Sequence, residues 1–109
     1  MKSPILILEN DISKIASLFA KKPELFNERP VCIFYTEIEA QLVMSTMTGP
    51  VILMIDDELD PGCGNGLSFL KFCIKRFSNI IEKIYIITSN KSEMIHCCEV
   101  YDISYEILI

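Results

Sequence analysis

The sequence predicts an α/β fold, a doubly wound five-stranded parallel sheet. Three observations carry that expectation. Four short apolar runs, at residues 5–8, 31–35, 51–55 and 84–88, are rich in β-branched and aromatic residues and end at polar ones. Their apolarity is continuous rather than alternating, as in strands covered on both faces of a parallel sheet. Stretches of helical period separate them, and regular alternation implies right-handed crossovers between parallel neighbours. The order is β-α-β-α-β-α-β-α-β, with residues 104–108 as a last strand less covered on its outer edge.

Each connecting segment carries its own signals. Asp11 caps a helix running to about Lys21, with Ile12, Ile15, Ala16 and Phe19 on one face. Pro23 ends that helix, and residues 22–30, with two prolines, read as a surface loop. Thr36 caps a second helix through about Met47, with Glu39 as its capping-box partner and Ile38, Leu42, Val43 and Met47 inward. Gly49 and Pro50 break the chain before the third strand. A third helix starts near Asn65 or Gly66 and carries Leu67, Leu70, Phe72, Cys73, Ile74 and Phe77. The fourth covers about residues 92–100, with Met94, Ile95, Cys98 and Tyr101 facing inward.

Size and charge narrow the function. The 109 residues predict one domain, 1–109, that buries about two-thirds of its unfolded surface. Half the residues are hydrophobic and mean hydropathy is +0.35, which argues for a packed core. Net charge is −5, and no basic run is longer than the two residues of Lys75-Arg76. That argues against direct nucleic-acid binding and for a metal ion or a basic protein patch. Five cysteines without repeated spacing make no disulfide framework. Cys32 and Cys73 read as small buried hydrophobes. Cys97 and Cys98 read as helix neighbours with one buried; with His96 they cannot converge on one ion from a regular helix. The first apolar run is too short for a signal peptide and ends at Glu9, and no run approaches a membrane span. A cytoplasmic location away from membranes is expected.

In open α/β sheets, ligands bind beyond the carboxyl ends of the strands, where strand order reverses. The residues at those ends are Glu9-Asn10-Asp11, Thr36, Asp56-Asp57-Glu58-Leu59-Asp60 and Thr88-Ser89-Asn90. Glu9 with one of Asp56 or Asp57 suits Mg²⁺, which takes oxygen ligands and often only one or two carboxylates. A carboxylate beside such an ion is a candidate nucleophile toward phosphorus. Thr88 or Ser89 is placed to hydrogen-bond a phosphoryl oxygen. The glycine-rich stretch at residues 62–66 lacks the Lys-Ser/Thr pair of a P-loop and reads as a flexible turn into the third helix. No nucleophile–base pair is evident. His96, the only histidine, lies on the fourth helical stretch away from the strand ends, so no catalytic residue is assigned.

These segments in this order resemble the receiver domain of bacterial two-component response regulators. Ile5-Leu6-Ile7-Leu8-Glu9-Asn10-Asp11 is similar to its first strand and acidic pair, and Thr36-Glu37-Ile38-Glu39-Ala40 to the start of its second helix. Val51-Ile52-Leu53-Met54-Ile55-Asp56 resembles the strand bearing the phosphoacceptor. Pro61 and Asn65-Gly66-Leu67 resemble the entry to the third helix, and Ile84-Tyr85-Ile86-Ile87-Thr88-Ser89 the strand with the switch hydroxyl. The resemblance implies a flavodoxin-like (βα)4β chain without the last helix. It implies Mg²⁺ as cofactor, with Glu9, Asn10, Asp56 and Glu58 as the metal-side residues. It makes Asp56 the phosphoacceptor, with Asp57 as the alternative because it keeps the usual distance to Pro61. Thr88, with Ser89 beside it, is the implied switch. Two departures stand out. Asn10 replaces an expected acid, and the family's lysine after the fifth strand has no counterpart in residues 104–109.

Three functions follow as expectations. The first is a stand-alone signalling domain whose protein partner is a kinase or a regulated protein. The second is a phosphorylation-independent pseudo-receiver, with a second copy as one way to cover the face the last helix leaves bare. The third is a small metal-dependent phosphate-processing enzyme.

Overall fold

The computed structural model describes residues 2–108. Its elements are β1 (Ile5–Leu8), α1 (Ile12–Lys21), α2 (Pro23–Phe26), β2 (Val31–Phe34), α3 (Glu37–Met44), β3 (Val51–Ile55), α4 (Gly66–Phe77), β4 (Ile81–Ile86), α5 (Ser92–Val100) and β5 (Tyr105–Ile107). The five strands form one sheet in the order β2-β1-β3-β4-β5, and every pairing is parallel. The chain steps outward from β1 to β2 and then returns across β1 to β3. Strand order therefore reverses between β1 and β3, the position at which ligands bind beyond the strand ends of open α/β sheets.

Every residue of β1 and β3 is buried. This is why both read as unbroken apolar runs. Alternation across the sheet sends Leu6, Leu8, Leu53, Ile55, Ile84 and Ile86 to one side, where α3, α4 and α5 supply Ala40, Met44, Phe69, Leu70, Cys73, Ile74, Met94 and Cys98. It sends Ile5, Ile7, Ile52, Met54, Tyr85 and Ile87 to the other, covered by Leu18 of α1 with Leu25 and Phe26 of α2. The sheet is thus wound on both faces, as expected, with more helix on one face than on the other.

The helices differ from expectation in which stripe they bury. On α1 it is Ile15 and Leu18, while Ile12, Ala16 and Phe19 are exposed. Phe19 packs instead on Phe26, ring centroids 4.3 Å apart. Residues 22–30, expected to be loop throughout, contain α2; Pro23 at its first turn has the fixed φ and missing N–H that suit a helix start. On α3 the buried pair is Ala40 and Met44, four residues apart, and Ile38 and Leu42 face solvent. That helix stops at Met44, short of Met47. Tyr101 lies beyond α5 and is exposed. Cys32 is only half-buried, because β2 is an edge strand; Cys73 is fully buried. Among the described residues, no helix is long and apolar enough to cross a membrane.

Candidate functional site

The ladders run one residue past the strands and set the first two site residues side by side. The Glu9 N–H donates to Phe34 O of β2 at 3.1 Å, and the Asp56 N–H donates to Leu8 O of β1 at 3.1 Å. Both side chains are fully buried, at 0 % exposure. Asp56 Oδ1 accepts the Glu58 N–H at 3.1 Å, and Asp56 Oδ2 faces the Lys14 ammonium at 3.3 Å. Glu9 Oε1 accepts the Asp11 N–H at 3.0 Å, but Glu9 Oε2 is buried without a partner. Burial above all, then the adjacent Asp56 carboxyl, pushes the Glu9 carboxyl up to about 8. A buried oxygen with nothing to bond is rare in folded proteins and asks for a ligand or a role.

Asp57 lies in a different environment. Its Oδ1 accepts the Leu67 N–H at 2.8 Å and its Oδ2 accepts Asn90 Nδ2 at 3.1 Å. It thereby ties the first turn of α4 to the loop after β4. Asn65 completes that helix start, accepting the Ser68 N–H at 2.8 Å. Gly66 permits the approach: a Cβ there would collide with the Asp56 carbonyl and the Ile55 side chain. The turn before it is anchored rather than free. Gly64 has φ +85°, the Asn65 N–H donates to Glu37 Oε1 at 3.1 Å, and the Glu37 N–H donates to Cys63 O at 2.8 Å.

The other expected residues are placed as follows. The Asn10 amide donates to Tyr35 O at 3.2 Å, fastening the end of β1 to the end of β2. The Glu58 side chain is exposed; its backbone N–H is the part that meets Asp56. Thr88 is buried two residues past β4, and its Oγ1 accepts the Asn90 N–H at 3.2 Å. Ser89, Asp60 and His96 are exposed. Sequence reasoning did not single out Lys14. One signal was available: it is the only Lys or Arg in residues 9–20, within the first turn of the helix that follows Glu9.

Glu9 and Asp56 fit Mg²⁺. They are two adjacent carboxyl groups, oxygen donors only, and one has a buried unmatched oxygen. Among the described residues, no cluster of three or more His, Cys, Asp or Glu is arranged to hold a metal, so water and substrate oxygens would complete the shell.

No family model matches the sequence, and no curated protein matches it. Solved structures do match. A CheY-like response regulator receiver domain protein from Methanospirillum hungatei JF-1 superposes with a TM-score of 0.71 at 19% identity, covering 98% of this chain and 82% of its own. A two-component response regulator from Legionella pneumophila gives 0.69 at 22% identity, covering 99% and 86%. The BeF3-activated receiver domain of Nitrogen Regulatory Protein C gives 0.70 at 16% identity, covering 98% and 83%. Over nearly its whole length, the chain has the fold of response-regulator receiver domains.

Proposed function

We propose that residues 1–109 form one receiver-like signalling domain of the cytoplasm, which accepts a phosphoryl group on Asp56 with Mg²⁺ and so regulates a protein partner. The observation that carries this reading is the Glu9–Asp56 pair. Two fully buried carboxyl groups meet at the point where strand order reverses, and one has an oxygen without a partner. Such an arrangement lowers stability unless a cation completes it. Bound Mg²⁺ would supply positive charge to a phosphoryl group. In the proposed step an Asp56 carboxylate oxygen attacks the phosphorus of an acyl phosphate. The bond from phosphorus to the leaving carboxylate breaks, and that carboxylate departs with the electron pair. The Glu58 N–H holds Asp56 in place, and the buried Thr88 hydroxyl donates to a phosphoryl oxygen, drawing on the loop between β4 and α5. The partner is a kinase or a protein read out through that loop.

Acetyl phosphate with Mg²⁺, followed by intact mass, tests the reading. The wild type and Asp57→Asn gain one phosphate, and Asp56→Asn gains none. An unmodified wild type, or equal gain in Asp56→Asn, would sink it.

A second reading is favoured by Asn10, whose amide is fastened to Tyr35 O instead of offering a charge to a metal. The domain is then a phosphorylation-independent binding module, alone or as a homodimer. Self-association or partner affinity unchanged by Asp56→Asn and by acetyl phosphate would support that alternative.

A further inference from the structure

We propose that Lys14 is a built-in counter-ion of the Asp56 site, one that competes with a divalent cation for the same carboxylate. The inference rests on reading Asp56 as the central carboxylate of the site.

Asp56 offers two oxygens. Oδ1 is committed to the Glu58 N–H, so Oδ2 is the one left to meet a cation, and Lys14 Nζ stands 3.3 Å from it. The ammonium comes from α1, the helix that follows β1, and Asp11 lies close enough to attract it as well. Residues 104–108, in and around the last strand, contain no lysine. The positive charge at the site is therefore supplied from the α1 side.

The two members of the pair differ in freedom. The Asp56 side chain is fully buried, while the Lys14 side chain is 45 % exposed. Lys14 also lines an open groove of about 220 Å³ with Ser17, Leu18, Lys21, Ile87 and Leu108. A flexible four-carbon stem beside open space can withdraw its ammonium into water without rearranging the core. Asp56 cannot move, so exchange of one cation for another falls to Lys14. In the resting protein Lys14 matches the Asp56 charge. When a divalent cation arrives, it must displace Lys14 from Oδ2 or share that oxygen against like-charge repulsion. Either route weakens metal binding relative to a chain without the ammonium.

A Mg²⁺ titration followed by amide NMR tests this on the wild type, Lys14→Met, Lys14→Arg and Asp56→Asn. Methionine keeps the length and loses the charge, and Lys14→Gln repeats the test with a polar end. Lys14→Met and Lys14→Gln are expected to bind Mg²⁺ about three- to fivefold tighter than the wild type, as removal of a half-exposed competing charge predicts. Lys14→Arg should stay within about twofold of the wild type, since it keeps the charge. Asp56→Asn should lose the titration. A merely structural Lys14 would leave Mg²⁺ affinity unmoved, and equal or weaker binding in both neutral variants overturns the proposal. So does an absence of Mg²⁺ shifts in all four proteins. Mass labelling by acetyl phosphate, run alongside, separates the two ideas. Tighter Mg²⁺ without a phosphate adduct supports the role of Lys14 and removes the phosphoacceptor. An adduct on Asp56 with unchanged affinities does the reverse.

Discussion

Two clusters of contacts lie at the carboxyl edge of the sheet, and consecutive acids belong to different ones. Beyond the ends of β3 and β4, Asp57 has each oxygen matched by a fixed donor, the Leu67 N–H and the Asn90 amide. Beyond the ends of β1 and β3, Asp56 meets a half-exposed lysine, and Glu9 beside it has a buried oxygen with no partner. The first arrangement is complete and fixes a helix start. The second is incomplete and is held together by a cation that can leave. Adjacent residues of one chemical type can thus serve stability and exchange separately, and the difference lies in their donors rather than in their charge.

The comparison can be broken most sharply at Gly66, where the start of α4 meets the end of β3. Gly66→Ala drives a Cβ into the Asp56 carbonyl, and the loss expected in urea unfolding is about 3–4 kcal/mol, less the roughly 1 kcal/mol alanine returns as a better helix former. A change near zero would mean that the β3–α4 turn yields easily and that the two clusters are not rigidly joined.

Glu9 supplies the next effect, and it depends on pH. Its carboxyl is raised from 4.5 to about 8 in the folded protein, so the native state holds a proton that the unfolded state releases between those values. The associated stability is full below pH 4.5, falls as pH rises through 8, and is flat above that. The expected fall is roughly 2–3 kcal/mol, and Glu9→Gln should abolish it and make the protein more stable at pH 8 than the wild type. Denaturation midpoints across that range check this; identical pH slopes for the two proteins would show that Glu9 is ionised and compensated.

Smaller effects separate the neighbouring acids directly. Asp57→Ala strands the Leu67 N–H and frees Asn90, and should cost about 1–2 kcal/mol. Asp56→Asn should change stability by less than about 1 kcal/mol, since its ion pair is with a partly exposed lysine. The reverse ranking would contradict the division drawn above. Asn90→Ala removes one amide bond to Asp57 and should cost about 0.5–1 kcal/mol.

The sheet was legible in the sequence because β1 and β3 are covered on both faces, which leaves an apolar run that hardly any other element produces at that length. Edges and helix faces were less so. The half-buried β2 has the same apolar appearance as the core strands, and α3 carries Ile38 and Leu42 outward although both have the spacing of an inward stripe. Side-chain composition cannot fix the rotation of a short helix when both sides are apolar; contact with Phe69 and its neighbours does. At the site, the strand ends named Glu9, Asp56, Asp57 and Thr88 because sheet topology alone brings those ends together. The sequence left Asp56 and Asp57 both open. Hydrogen bonds distinguish them, and these depend on the close approach at Gly66 and on Asn90 after β4. The Lys14–Asp56 pair and the Asn10–Tyr35 bond were not legible for the same reason. Each depends on where a side chain points, not on where its residue falls in a pattern.

The interior position of β1 in the sheet has a kinetic consequence. Its neighbours are β2 and β3, and Glu9, Asp56 and Thr88 lie at the ends of three strands far apart in the chain. Long parallel closures must lose chain entropy before any contact rewards them, so they form slowly. The site is therefore expected to be among the last features to assemble. Transient loosening of β4 would withdraw Thr88 while leaving Glu9 beside Asp56, so amide hydrogen exchange should find the Ile87 N–H, which donates to Ile55 O, less protected than the Glu9 and Asp56 N–H groups.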